Sequence, residues 1–151
     1  MKARKKTSAD GAFESIKRLV TDNAISHKEI EDFSSIDYPL FSFKYLRPNS
    51  IKDCADAEFF FNFLMRLKEL SGIGWSGIRQ SPRHQYGMEP LPLNTFKPNL
   101  DCLSDIITRD VRKLHVLRAD SKKHPFVGLQ VGKIFHVFFI EASFGDVYDH
   151  D

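Results

Sequence analysis

The sequence predicts an α+β domain: short N-terminal helices, one strand, one long amphipathic helix, then a C-terminal three-stranded antiparallel meander packed on that helix. Two observations carry the prediction. Phe59, Phe60, Phe63, Leu64, Leu67 and Leu70 recur at helical spacing and form a wide apolar stripe, with Arg66, Lys68 and Glu69 outside it. Near the C-terminus, Leu114–Arg118, Phe126–Val131 and Ile134–Ile140 are strand-like runs. Their connections are too short for crossovers, so neighbouring strands must run antiparallel.

Taken in order, residues 1–10 read as a flexible basic tail and residues 11–151 as a single domain. Phe13, Ile16, Leu19 and Val20 fit a short helix. A second is expected from His27 to Phe33, opened by a capping box of Ser26 and Glu29. Asp37-Tyr38-Pro39 breaks the chain. Leu40–Leu46 then alternates, with Phe41, Phe43 and Tyr45 on one face and Ser42 and Lys44 on the other, as a half-buried strand does. The long helix is expected from Cys54 to Leu70, capped by Asp53 or Ser50 and ended by Ser71-Gly72. Residues 72–99 carry Gly72, Gly74 and Gly77 and then Pro82, Pro90, Pro92 and Pro98, which forbid a long regular element. One helical turn at Trp75–Gln80 fits, with Trp75 in the core, and Leu100, Leu103, Ile106 and Ile107 suggest another short helix.

Composition bounds the function. With 42% hydrophobic and 28% charged residues, the chain falls outside the disordered range. No apolar run approaches a membrane span, and no secretory pattern is present. Two distant cysteines, Cys54 and Cys102, make no disulfide framework, and the cytoplasm is the expected compartment. Setting aside Lys2, Arg4, Lys5 and Lys6 turns the net charge from +2 to −2. Any nucleic-acid contact must therefore come from a local patch.

No Walker loop, GxSxG, HExxH or GxGxxG occurs, and no zinc-finger spacing. No cofactor or metal is expected. Basic and imidazole groups instead gather in the second half. Arg79, Arg83 and His84 lie in the irregular segment; Arg109, Arg112, Lys113, His115 and Arg118 lead into the sheet; and Lys122, Lys123 and His124 occupy its first loop. Phosphate chemistry uses such groups, because Arg and Lys neutralise charge and His moves protons near neutral pH. The candidate phosphate- or RNA-binding residues are Arg79, Arg83, Arg112, Lys113, Lys122 and Lys123. His84 and His124 are candidates for acid or base. His136 reads as a core or edge histidine, and Asp149-His150-Asp151 as a solvated end rather than a metal trio. Tyr148, after Gly145-Asp146-Val147, fits a proton donor or an amphipathic rim residue.

Residues 113–148 resemble the RelE/ParE-like toxin superfamily. KLHVLRAD is similar to that fold's second strand, HPFVGLQVGKIFHVFFIE to the following hairpin, and DVY to the Val-Tyr near the end of those toxins. The resemblance implies a growth-inhibiting protein of a toxin–antitoxin or related defence system, either a metal-independent endoribonuclease or a gyrase inhibitor. Its partners would be RNA, the ribosome and a cognate antitoxin. It places Arg118 and Tyr148 in the site. The sequence departs from the pattern in its extra N-terminal region and in lacking a dense Arg/Lys surface. A different class of function is a non-catalytic interaction module, in which exposed aromatics of the C-terminal sheet (Phe135, Phe139 and Phe144) pack on a partner or a second copy.

Overall fold

The computed structural model describes residues 35–150, and the account below concerns the unit from Asp37 onward. The tail and the two helices expected before residue 35 lie outside the described residues. Five strands form one mixed sheet: β1 (Leu40–Ser42), β2 (Glu89–Pro92), β3 (Lys113–Arg118), β4 (Pro125–Val131) and β5 (Ile134–Ile140). Their spatial order is β1-β5-β4-β3-β2. From β2 to β5 every neighbour is antiparallel, whereas β1 lies parallel to β5. The α+β class holds. The expected three-stranded meander, β3-β4-β5, is the centre of a larger sheet.

Both additional edge strands have a physical reason for escaping the pattern. β2 is Glu-Pro-Leu-Pro, and its prolines cannot donate ladder hydrogen bonds, which confines such a segment to an edge. β1 ends at Ser42 instead of running to Leu46, because the chain turns away: Leu46 N–H donates to Phe43 O, and Arg47 N–H to Phe138 O.

The long helix α1 spans Ala57–Gln80 and is capped by Asp56, whose carboxylate accepts from Phe59 N–H at 3.2 Å. Ser71-Gly72 does not end it. The break comes at Gly74, at φ 71° and ψ 174°, and a short helical stretch follows from Trp75. At the kink Trp75 N–H donates to Asp37 O at 2.8 Å, and an added Cβ on Gly74 would stand 2.6 Å from that same oxygen. Glycine is required there by both its φ and the closeness of the passing chain. The helix expected near Leu100 is only a 3-10 turn, Asp101–Leu103.

Each sheet face has its own core. On one, Phe59, Phe63, Leu67, Leu70, Trp75 and Ile78 of α1 meet Leu117, Phe126, Phe135 and Val137. On the other, Leu114, Val116, Val127, Leu129, Phe138 and Phe139 are covered by Phe96, Leu103, Val147 and Tyr148. A bulge between β4 and β5 sets Val127 opposite Phe139 and Gly128 opposite Val137, so Phe138 is the extra residue. Phe138 and Phe139 therefore both join the second core, and Ile140 returns to the first. The bulge is packed tightly: an added Cβ on Gly128 would collide with His136 O. Phe135 and Phe139 are consequently buried, contrary to the expected exposed aromatic surface, and of that trio only Phe144 is exposed.

Candidate functional site: a cleft around Arg118

Alternation along β3 places Leu114, Val116 and Arg118 on the face away from α1. The β2 register sets Glu89 opposite Val116 on that same face, diagonal to Arg118. The two side chains meet. Arg118 is 5% exposed, and one Nη donates to Glu89 Oε2 at 3.0 Å while the other donates to the Tyr148 hydroxyl at 3.0 Å. Its Nε is buried and has no partner among the described residues. Neither Asp120 nor Glu141 pairs with it; the partner is 29 residues away in the chain.

Above this floor opens a cleft of about 200 Å³ lined by Arg83, His84, Glu89, Leu91, Thr95, Arg118, Tyr148, Asp149 and His150. It adjoins a second hollow in which His84, Arg118 and His150 recur beside Lys122, Lys123 and Phe144. The His84 loop is tied to α1. Gln85 and Gly87 N–H groups donate to Pro82 O, Arg66 donates to Gln85 O at 3.0 Å, and Arg66 lies over the Tyr86 ring. Within the loop Arg83 Nε–H donates to His84 Nε2 at 3.2 Å, and Arg83 also pairs with Glu89 at 2.8 Å. Partial desolvation, then the charges of Arg83, Arg118 and Lys123, hold the His84 imidazole below its ordinary pKa of 6.5, with Glu89 opposing them. His84 is therefore neutral at pH 7 and has a lone pair to offer. Burial raises the Tyr148 phenol, against the lowering influence of Arg118, so Tyr148 remains protonated.

The C-terminal segment is strapped down. Glu141, completely buried, accepts from Gly145 N–H at 2.8 Å and Val147 N–H at 2.9 Å, and its Oε1 meets His150 Nε2 at 2.6 Å. Asp146 accepts from Asn49 and from Ser50 N–H, and Lys97 N–H donates to Val147 O. Asp149 and His150 are exposed, as the sequence suggested, but the His150 ring is anchored on Glu141; Tyr148 is buried rather than a rim residue.

Of the residues picked from sequence, the fold brings Arg83, His84, Arg118, Lys122, Lys123 and Tyr148 together. Lys123 reaches the hollow from a turn in which it adopts φ 68°. His124 does not line the cleft. Its Nδ1 is held by Asp120 at 2.7 Å, its ring stacks on Phe144 at 4.2 Å, and Phe59 meets it edge-on. Arg79 sits exposed in the last turn of α1, where its charge complements the helix dipole. Arg112 lines a separate hollow with Arg109, and Lys113 is exposed on β3. His115 is a structural acceptor for Gln130 N–H at 3.0 Å. Glu89 and Glu141 were not among the candidates, and His150 was set aside with its flanking aspartates. The sequence signals for them were slight: Glu141 is a carboxylate directly after the apolar run of β5, and His150 lies in the Asp149-His150-Asp151 run.

Among the described residues no group of three His, Cys, Asp or Glu side chains is placed to hold a metal ion, and no helix is long and apolar enough to cross a membrane. Comparison of the chain with protein-family models, curated proteins and solved structures finds no match.

Proposed function

We propose that this chain is an endoribonuclease that needs no metal, using the RNA 2′-hydroxyl as nucleophile, and that it acts as a growth-inhibiting toxin of the kind its RelE/ParE-like sequence pattern implies. The observation that carries the reading is the buried Arg118 guanidinium, fixed by Glu89 and Tyr148 beneath an open cleft rimmed by His84, Lys123 and His150. A planar donor held in advance suits the oxygens of a phosphodiester whose charge grows in the transition state. Lys123 adds a second cation on the open side. His84, neutral and with a lone pair on Nε2, takes the 2′-hydroxyl proton once the Arg83 contact yields to substrate. Attack of the 2′ oxygen on phosphorus expels the 5′ oxygen and leaves a 2′,3′-cyclic phosphate.

The test is incubation of purified protein with single-stranded RNA, with and without ribosomes, in the presence of a chelator. Expected products end in a cyclic phosphate and a 5′-hydroxyl. Intact RNA under all conditions, together with harmless expression in cells, rejects the reading.

A second reading, a protein-interaction module, draws on one observation. Phe61, Leu64 and Met65 of α1 are exposed at i, i+3 and i+4, with Phe61 and Leu64 about 60% open. A cognate antitoxin or a second copy of the chain would pack there. Light scattering that shows a monomer, unaltered by Phe61→Ser, argues against self-association.

A further inference from the structure

We infer that His150, oriented by the buried carboxylate of Glu141, is the general acid of this cleft. The inference rests on the endoribonuclease reading and adds the second proton that reading lacks: His84 removes one from the 2′-hydroxyl, and the departing 5′ oxygen must receive one.

The geometry is that of a carboxylate–histidine pair. Glu141 is the first residue after β5 and is wholly buried, yet among the described residues its polar partners are all donors: two backbone N–H groups and His150 Nε2. A carboxylate that accepts two amide hydrogens requires the third neighbour to donate as well, so Nε2 carries the hydrogen of the 2.6 Å contact. The ring nitrogen left for exchange is Nδ1, which bonds to no other described residue. The ring is fixed on two further sides, tilted over Tyr148 at 4.3 Å between centroids and meeting Phe144 edge-on at 5.4 Å. Burial of a carboxylate is costly without partners, and here the partners define one ring orientation. His150 lines both hollows that Arg118 lines, so the ring shares the space in which a phosphate on Arg118 would sit.

In the step, the 2′ O–H proton passes to His84, the new P–O2′ bond forms, and the P–O5′ bond breaks. The imidazolium of His150 delivers its Nδ1 proton to O5′, and the products are a cyclic phosphate and a 5′-hydroxyl. Glu141 touches no reacting atom and is a positioning residue.

A leaving group that needs no proton isolates this role. The probe is a short RNA with one scissile linkage, made either with the ordinary 5′ oxygen or with sulfur bridging to the 5′ carbon. A thiolate departs unprotonated. His150→Gln is expected to slow cleavage of the oxygen linkage at least 100-fold and of the sulfur linkage less than fivefold. Glu141→Gln should show the same discrimination to a smaller degree, with thermal melting followed in parallel. Equal loss on both linkages, or no loss, overturns the assignment to His150. The same discrimination in Tyr148→Phe, sparing only the sulfur linkage while His150→Gln spares neither, transfers the role to the phenol. If the unmodified protein cuts neither probe, the endoribonuclease reading itself falls, and this assignment with it.

Discussion

Arg118 concentrates the residue-scale question, because one side chain both closes a core and floors a cleft. Its type and neighbours were legible in sequence: a guanidinium at a strand end, beside a Lys-Lys-His loop, with a Tyr near the terminus. Its partner was not. Glu89 lies in a Pro-flanked segment with no strand signature, and only the β2–β3 register reveals that it shares a face with Arg118. The same holds for His150, whose value depends entirely on a carboxylate nine residues earlier. Burial changes what a substitution should do. A surface ion pair would contribute at most about 1 kcal/mol, but here the pair is enclosed and the donor forked. Arg118→Lys keeps the charge and can satisfy Glu89 or the Tyr148 hydroxyl less well than both. It should cost about 1.5–3 kcal/mol of stability, the usual loss of a hydrogen bond to a charged group. RNA cleavage, measured well below the lowered melting temperature, should fall about 100-fold or more. Weakened melting with full cleavage would show that Arg118 serves the fold alone.

At the scale of elements, the helix and the central strands were readable because their periods differ and each buries one continuous face. Two features broke the pattern for local reasons. The bulge at Phe138 sends two successive phenylalanines to one side, so simple alternation misassigns Phe139. The kink at Gly74 lets a helix survive Ser71-Gly72, because the passing Asp37 carbonyl provides the contact that a terminating turn would otherwise supply. What α1 packs against follows directly: Phe63 meets Phe126 edge-on at 5.1 Å and lies in the core with Phe135 and Val137. Phe63→Ala should therefore cost about 3–5 kcal/mol in urea unfolding. Phe61→Ala, two positions earlier on the open side, should stay within about 0.5 kcal/mol. Similar losses for both variants would place the buried face of α1 elsewhere.

For the molecule as a whole, the two histidines set into the strands couple folding to pH. Burial holds His115 below its ordinary value of 6.5; burial first and then Lys44 do the same for His136. The unfolded chain thus takes up protons near pH 6.5 that the folded chain still refuses. Stability from both residues is complete above pH 6.5, declines as the pH falls through that value, and stops declining once the folded-state pKa values have been passed. In β3 the neutral ring has a definite task, since His115 Nδ1 must accept Gln130 N–H, which a protonated ring cannot do. The His136 Nδ1 is buried against Tyr45 with no partner among the described residues. Urea unfolding at pH 8 and pH 5.5 should show a loss on the acid side, at a pH still above the range in which carboxylates ordinarily titrate. His115→Asn keeps a polar side chain but removes the titrating ring, so its stability should depend on pH less steeply than that of the unmodified protein. A variant with an undiminished slope would mean that His115 is not among the groups that make this fold sensitive to acid.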